Sequence, residues 1–235
     1  MKKKGFTLIE TQVALGLSLL VLLAAFEFLG ITRSLFFKLK DAQEKNQAIQ
    51  AALVKIRLDV LRAGFGLEVP LRNGVVEGID VSSSTLSILS RDEAFTLAGD
   101  VSPGEERITL EKVSGMSPGR RVCLADAQNS ELHTIAAIEG KTVVLAEPLE
   151  AAYFCIFAHL LLIEEVDYFL DEKSDILRRK VNAGAAQPLL DDAGLFKAAY
   201  QKEANLVRVN LAGKADQERN HELSVFPKNL GLVHP

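Results

Sequence analysis

The residues that most restrict this chain lie near its start, where a carboxylate opens a long apolar run. From Val13 to Ile31 the one charged side chain is Glu27. A helix from Phe6 to Ile31, rising about 1.5 Å per residue, covers roughly 38 Å, enough to cross a hydrocarbon core of about 30 Å. Met1-Lys2-Lys3-Lys4-Gly5 precedes it. A secretory signal would join such a basic start to a shorter apolar region and a small-residue cleavage site. Leu23-Ala24-Ala25-Phe26-Glu27-Phe28 offers no such site. Glu27, about 32 Å along the helix from Phe6, reaches the far interface and its water. Glu10 is different: an isolated carboxylate inside an apolar helix costs about 2.5–3.5 kcal/mol, so it requires a partner. Gln12 adds a second polar group at the same end, Gly16 and Gly30 are the glycines within the run, and no proline precedes Pro70. The helix therefore has no proline to break it.

Helical periodicity continues past the span. Leu35, Leu39, Ala42, Asn46, Ile49, Leu53, Ile56 and Val60 recur at alternating steps of four and three, which places them on one stripe. The other faces carry Lys38, Lys40, Asp41, Glu44, Lys45, Gln47, Gln50, Lys55 and Arg57. The stripe suits either a sheet of the same chain or a coiled-coil partner; the β-rich segment that follows needs a cover and favours the sheet. Gly64 and Gly66 fit a left-handed helix cap. Beyond them, short apolar or alternating runs replace the helical period. These are Val75–Val81, Thr85–Leu89, Arg107–Val113, Arg121–Ala125, Leu132–Ile138, Thr142–Leu145, Phe154–Ile163, Val166–Leu170, Ile176–Val181, Leu206–Leu211 and Leu223–Phe226. Ser102-Pro103-Gly104, Ser117-Pro118-Gly119 and Glu139-Gly140-Lys141 punctuate them as turns. Residues 102–153 read as a set of hairpins forming a small subdomain, with Phe154–Ile163 returning the chain to the main sheet.

Composition excludes several kinds of chemistry. A chain of 235 residues with 48% hydrophobic content holds one globular domain and an additional element. The formal charge is −4, and without Met1 to Gly5 the chain has 24 basic against 31 acidic side chains. That balance argues against nucleic acid as a partner, since phosphate binding needs a basic face. His133, His159, His221 and His234 show no metal-ligand spacing, so no metal or other cofactor is expected. Serine-nucleophile elbows, phosphate-cradling glycine loops and calcium loops are absent, and no enzyme is expected. Glu164, Glu165 and Asp167 read as acids that protect an edge strand. Arg178-Arg179-Lys180 reads as a solvated strand or turn surface.

Lys4-Gly5-Phe6-Thr7-Leu8-Ile9-Glu10 resembles the processing signature of type IV pilins and of type II secretion pseudopilins. The resemblance implies cleavage between Gly5 and Phe6 by a prepilin peptidase and N-methylation of Phe6. It also implies a partner for Glu10, the terminal amine of a neighbouring subunit, and pairing would remove an uncompensated buried charge. The implied fold is α+β and type IV pilin-like, a long N-terminal helix packed on a mainly antiparallel β head. The implied divisions are a leader at 1–5, a membrane or filament-core helix at 6–31, an amphipathic helix at 32–63 and a head at 64–235. The implied partners are the peptidase, other major and minor pilins or pseudopilins, the inner-membrane assembly platform and, before assembly, the bilayer. The implied location is the inner membrane with a periplasmic head, then a pilus or pseudopilus.

Three further segments resemble PilW-type minor pilins and the J-class minor pseudopilins. They are Ile56-Arg57-Leu58-Asp59-Val60-Leu61-Arg62-Ala63-Gly64-Phe65-Gly66, Tyr168-Phe169-Leu170 with Ile176-Leu177-Arg178-Arg179, and Phe226-Pro227-Lys228-Asn229-Leu230, where Lys228 replaces an arginine. In an oxidising periplasm a disulfide between Cys123 and Cys155 would staple the subdomain's entry to its exit. Two buried free thiols are the other reading, and both stay open from the sequence.

Overall fold

A computed structural model describes residues 7–82, 84–214 and 220–231. Gly5 and Phe6 lie outside the described residues. The chain divides into two units, Met1–Ala48 and Ile49–Pro235. Helix α1, Leu8–Arg62, supplies all the described structure of the first unit and the opening element of the second. Through residue 48 its side chains are exposed. It contains a stretch long and apolar enough to cross a membrane.

The class is α+β, with a mostly antiparallel head. A short helix α2 (Glu68–Arg72) follows α1, and then come β1 (Ile79–Ser82), β2 (Thr85–Thr96), β3 (Arg107–Thr109), β4 (Arg121–Ala125), β5 (Ser130–Glu139), β6 (Thr142–Leu145), β7 (His159–Asp171), β8 (Ile176–Val181), β9 (Gln187–Leu190), β10 (Ala193–Gln201), β11 (Leu206–Gly213) and β12 (His221–Val225). The larger sheet runs β1-β2-β7-β4-β5-β6-β3, and β8 and β9 branch from β7; the smaller sheet is β10-β11-β12. The branch arises because β7 pairs with β2 along one edge and divides the other between two strands. Residues 159–162 take β4, and residues 166–171 take β8.

Alternation assigns the faces of β7. Leu160 and Leu162 enter one core, Val166 and Tyr168 a second, and Leu161 and Ile163 a third on the opposite face. On β2, Ile88 and Phe95 have opposite parity yet face the same side as those first two cores, because a bulge between Arg91 and Glu93 resets the register.

Several expectations change here. Only the second half of the α1 stripe meets a sheet of its own chain: Ile49, Leu53, Ile56 and Val60 are buried with Leu86, Tyr168 and Val209, whereas Leu35, Leu39, Ala42 and Asn46 are exposed. Residues 102–153 have their own core but extend the larger sheet through β4. The strand foreseen at Phe154–Ile163 begins at His159 and runs on through Val166–Leu170. Strand β7 is central, which overturns the edge-strand reading of Glu164, Glu165 and Asp167. Those acids are answered instead: Arg62 lies 3.4 Å from Glu164, Arg121 lies 3.5 Å from Glu165, and Ser87 donates to Asp167 at 2.7 Å. Strands β9 and β10 were not foreseen.

Candidate functional site

Glu10 has a partner within its own chain. Thr7 precedes the first helical residue, and its N–H and hydroxyl both donate to Glu10 Oε2, at 2.9 and 3.0 Å. The Glu10 N–H donates back to Thr7 Oγ1 at 3.3 Å. Thr7-Leu8-Ile9-Glu10 is thus a capping box, in which two orphan N–H groups at a helix start are satisfied reciprocally. The Ser/Thr-x-x-Glu spacing was legible in the sequence, where only the cost of the buried charge was weighed.

Deep in the head, a polar cluster joins α1 to the larger sheet. Asp59, 5% exposed, lies on the buried face of α1. Its Oδ2 accepts the Tyr168 hydroxyl at 2.6 Å and Arg179 Nε at 2.8 Å. Arg179 Nε also donates to Tyr168 Oη at 3.2 Å, and Lys55 lies 3.6 Å from Asp59 Oδ1. Burial and the Asp59 carboxylate push the Tyr168 hydroxyl well above its usual range. Arg179 is therefore an interior ion-pair partner, which corrects the reading of Arg178-Arg179-Lys180 as merely solvated.

The end of α1 is held by the last described segment. Gly64 adopts φ +72° and its N–H donates to Leu89 O at 2.8 Å, tying the helix exit to β2. Asn229 Nδ2 donates to Leu61 O and Ala63 O at 3.3 and 3.1 Å, satisfying carbonyls that a helix end leaves free. Leu230 packs so closely that a Cβ on Gly64 would lie 2.5 Å from its Cδ2. Residues 56–66, 168–179 and 226–230 thus converge on docking α1 against the sheets.

A third cluster organises the other end of the head. Glu131 accepts the N–H groups of Glu150 and Ala151 at 2.8 Å each, the Tyr153 hydroxyl at 3.1 Å, and lies 3.1 Å from His133 Nε2. Burial raises the Glu131 carboxyl, and these hydrogen bonds more than offset that, leaving it below the usual carboxylate range. The cluster ties the strand-to-strand connection 146–153 to β5.

Cys123 and Cys155 are free thiols. On β4, Cys123 faces the core under α2, whereas its neighbours Val122 and Leu124 face the opposite side, where Cys155 packs. A bond between them would have to pass through the sheet, so the staple is not formed. Burial pushes the Cys123 thiol up to about 12. Among the described residues no three His, Cys, Asp or Glu side chains gather as a metal site. Open grooves among the described residues include two on the head. One of about 360 Å³ lies between α1 and β12, lined by Gln50, Leu53, Val54, Arg57, His221 and Glu222. The other, about 250 Å³, is lined by Arg120, Arg121, Glu165, Asp167, Lys180 and Asn182, of which Arg120 pairs with Asp92 and Arg121 with Glu165.

No family model matches the chain, and no curated protein matches it. Solved structures that align with parts of it include two tailspikes. One is the Gp54 tailspike of Acinetobacter baumannii bacteriophage AP22 in complex with A. baumannii capsular saccharide, at 16% identity and TM-score 0.29, over 33% of this chain and 15% of that one. The other is the tailspike protein gp49 from Pseudomonas phage LKA1, at 19% identity and TM-score 0.26, over 30% of this chain and 14% of that one. Likeness of that extent carries no argument about fold or function.

Proposed function

We propose that this chain is a prepilin-like subunit, cut between Gly5 and Phe6 and N-methylated on Phe6, that assembles as a minor type IV pilin through its apolar helix. The observation that carries the reading is the spacing of Gly5, Phe6 and Glu10 ahead of that helix. The capping box adds a mechanism. In the single chain Glu10 is held by Thr7; on assembly its carboxylate passes to the terminal amine of a neighbouring Phe6, a stronger charge-assisted partner in a low-dielectric setting. The large β head suits a low-copy priming or tip subunit, with a platform and other pilins as partners. The head sits in the periplasm and α1 in the inner membrane until assembly.

Mass spectrometry of the mature protein from its native host is the direct test, with a methylated Phe6 expected as the first residue. A retained Met1 or a terminus near Ala25 overturns the reading. Two variants separate the roles of Glu10. E10Q keeps an acceptor for Thr7 but loses the charge, and E10A loses both. Both are expected to be cut normally and to be missing from co-purified pilin assemblies. Normal assembly of E10Q would reduce Glu10 to a helix cap.

A further inference from the structure

The turn that leads into β7 displays apolar side chains that no core takes up. Phe154 is 60% exposed, Ile156 79% and Phe157 67%, although Tyr153 and Ala158 on either side are fully buried. The turn is fastened rather than loose. Phe157 N–H and Ala158 N–H both donate to the Phe154 carbonyl, at 3.0 and 2.9 Å. Cys155 N–H donates to Asp100 Oδ1 at 2.8 Å, and Val101 and Tyr153 exchange backbone bonds of 3.0 Å. Held this way, three large apolar groups form a convex knob. Such preorganisation lowers the ordering cost of binding.

Charge in the two segments beside the knob is mainly acidic. Residues 96–106 and 146–160, which bond to each other there, hold Asp100, Glu105, Glu106, Glu147 and Glu150 and no lysine or arginine, and the adjoining Arg107 is taken up in an ion pair with Glu139. All five acids are exposed. An acidic collar opposes insertion into an anionic membrane surface, which draws cations. It complements an apolar pocket with a cationic rim, the arrangement in which a buried anchor supplies affinity and rim charges supply steering and partner choice.

We propose that the Phe154–Phe157 turn is a docking knob for a partner protein presenting a concave apolar pocket rimmed by lysine or arginine. The proposal goes beyond the pilin reading and does not rest on it, because Gly5, Phe6 and Glu10 take no part. The test places a photoreactive benzophenone amino acid at Ile156 of the full-length protein in its native host, with Lys112 as the control position. The expected result is an adduct with one identified protein whose linked peptide is apolar and flanked by lysine or arginine. Its yield should fall about tenfold in E147K/E150K, two exposed charge reversals that leave the turn's own hydrogen bonds in place. An adduct with lipid, an adduct with a second copy of this chain, a yield indifferent to the charge reversal, or no adduct above the Lys112 control would each overturn it.

Discussion

At the scale of single residues, Asp59 shows how a charge is kept inside a core. It is 5% exposed, and its carboxylate accepts from Tyr168 and Arg179. Asp59→Ala leaves a buried hydroxyl and a largely buried guanidinium without their acceptor. The expected loss is about 2–3 kcal/mol, read by urea denaturation of the full-length chain in detergent micelles. Tyr168→Phe removes one donor and should cost about 1 kcal/mol. Equal losses for the two variants would mean that Arg179 draws nothing from Asp59. Sequence periodicity placed Val60 and Ile56 on the buried stripe and left Asp59 unremarked, because an acid beside a stripe reads as solvated until its partners are known. Those partners are over a hundred residues away.

At the scale of elements, the stop of α1 is the best-determined boundary. Gly64, at φ +72°, was expected as a left-handed cap from its type and place. The sequence did not foretell that Leu230 would fill the space beside it. Gly64→Ala should destabilise the head by about 2–3 kcal/mol, combining the left-handed backbone cost with a clash against Leu230. In an L230A background the same change should cost less, about 1–2 kcal/mol, the backbone part together with the remaining approach to Leu71 Cδ1 at 2.9 Å. Thermal melts of the four proteins give the coupling, and strict additivity would remove the clash from the account. Strand β9 escaped notice because Pro188 demotes a run to an edge position, and β9 is such an edge, pairing with β8 alone. Strand β10, Ala-Gly-Leu-Phe-Lys-Ala-Ala-Tyr-Gln, has little β-branched content, so cross-strand pairing with β11 decides it rather than propensity.

At the scale of the whole molecule, β7 is the strand on which the head depends, since it borders all three cores. Its two faces also settle the cysteines. Maleimide labelling of the denatured chain without reductant should find both thiols free, and in the native state Cys123 should react far more slowly than Cys155, being buried with its thiol pushed up to about 12. A disulfide-linked peptide between them would contradict the face assignment. The sequence by itself determined the apolar helix, its amphipathic continuation, the glycine stop and the β character of the head, because each follows from local periodicity or backbone preference. Only the tertiary structure decided that β7 is central, that the cysteines lie on opposite faces, and that Asp59, Arg179 and Asn229 dock the helix. It also decided that Phe154, Ile156 and Phe157 stay in water. Each of those outcomes depends on which distant strands pair and on the parity of their registers, and a one-residue bulge such as that between Arg91 and Glu93 is enough to exchange the faces. Glu10 stands between the two classes: its cost in an apolar helix was plain from the sequence, and the local hydrogen bonds that meet it at Thr7 emerged from the geometry of the helix start.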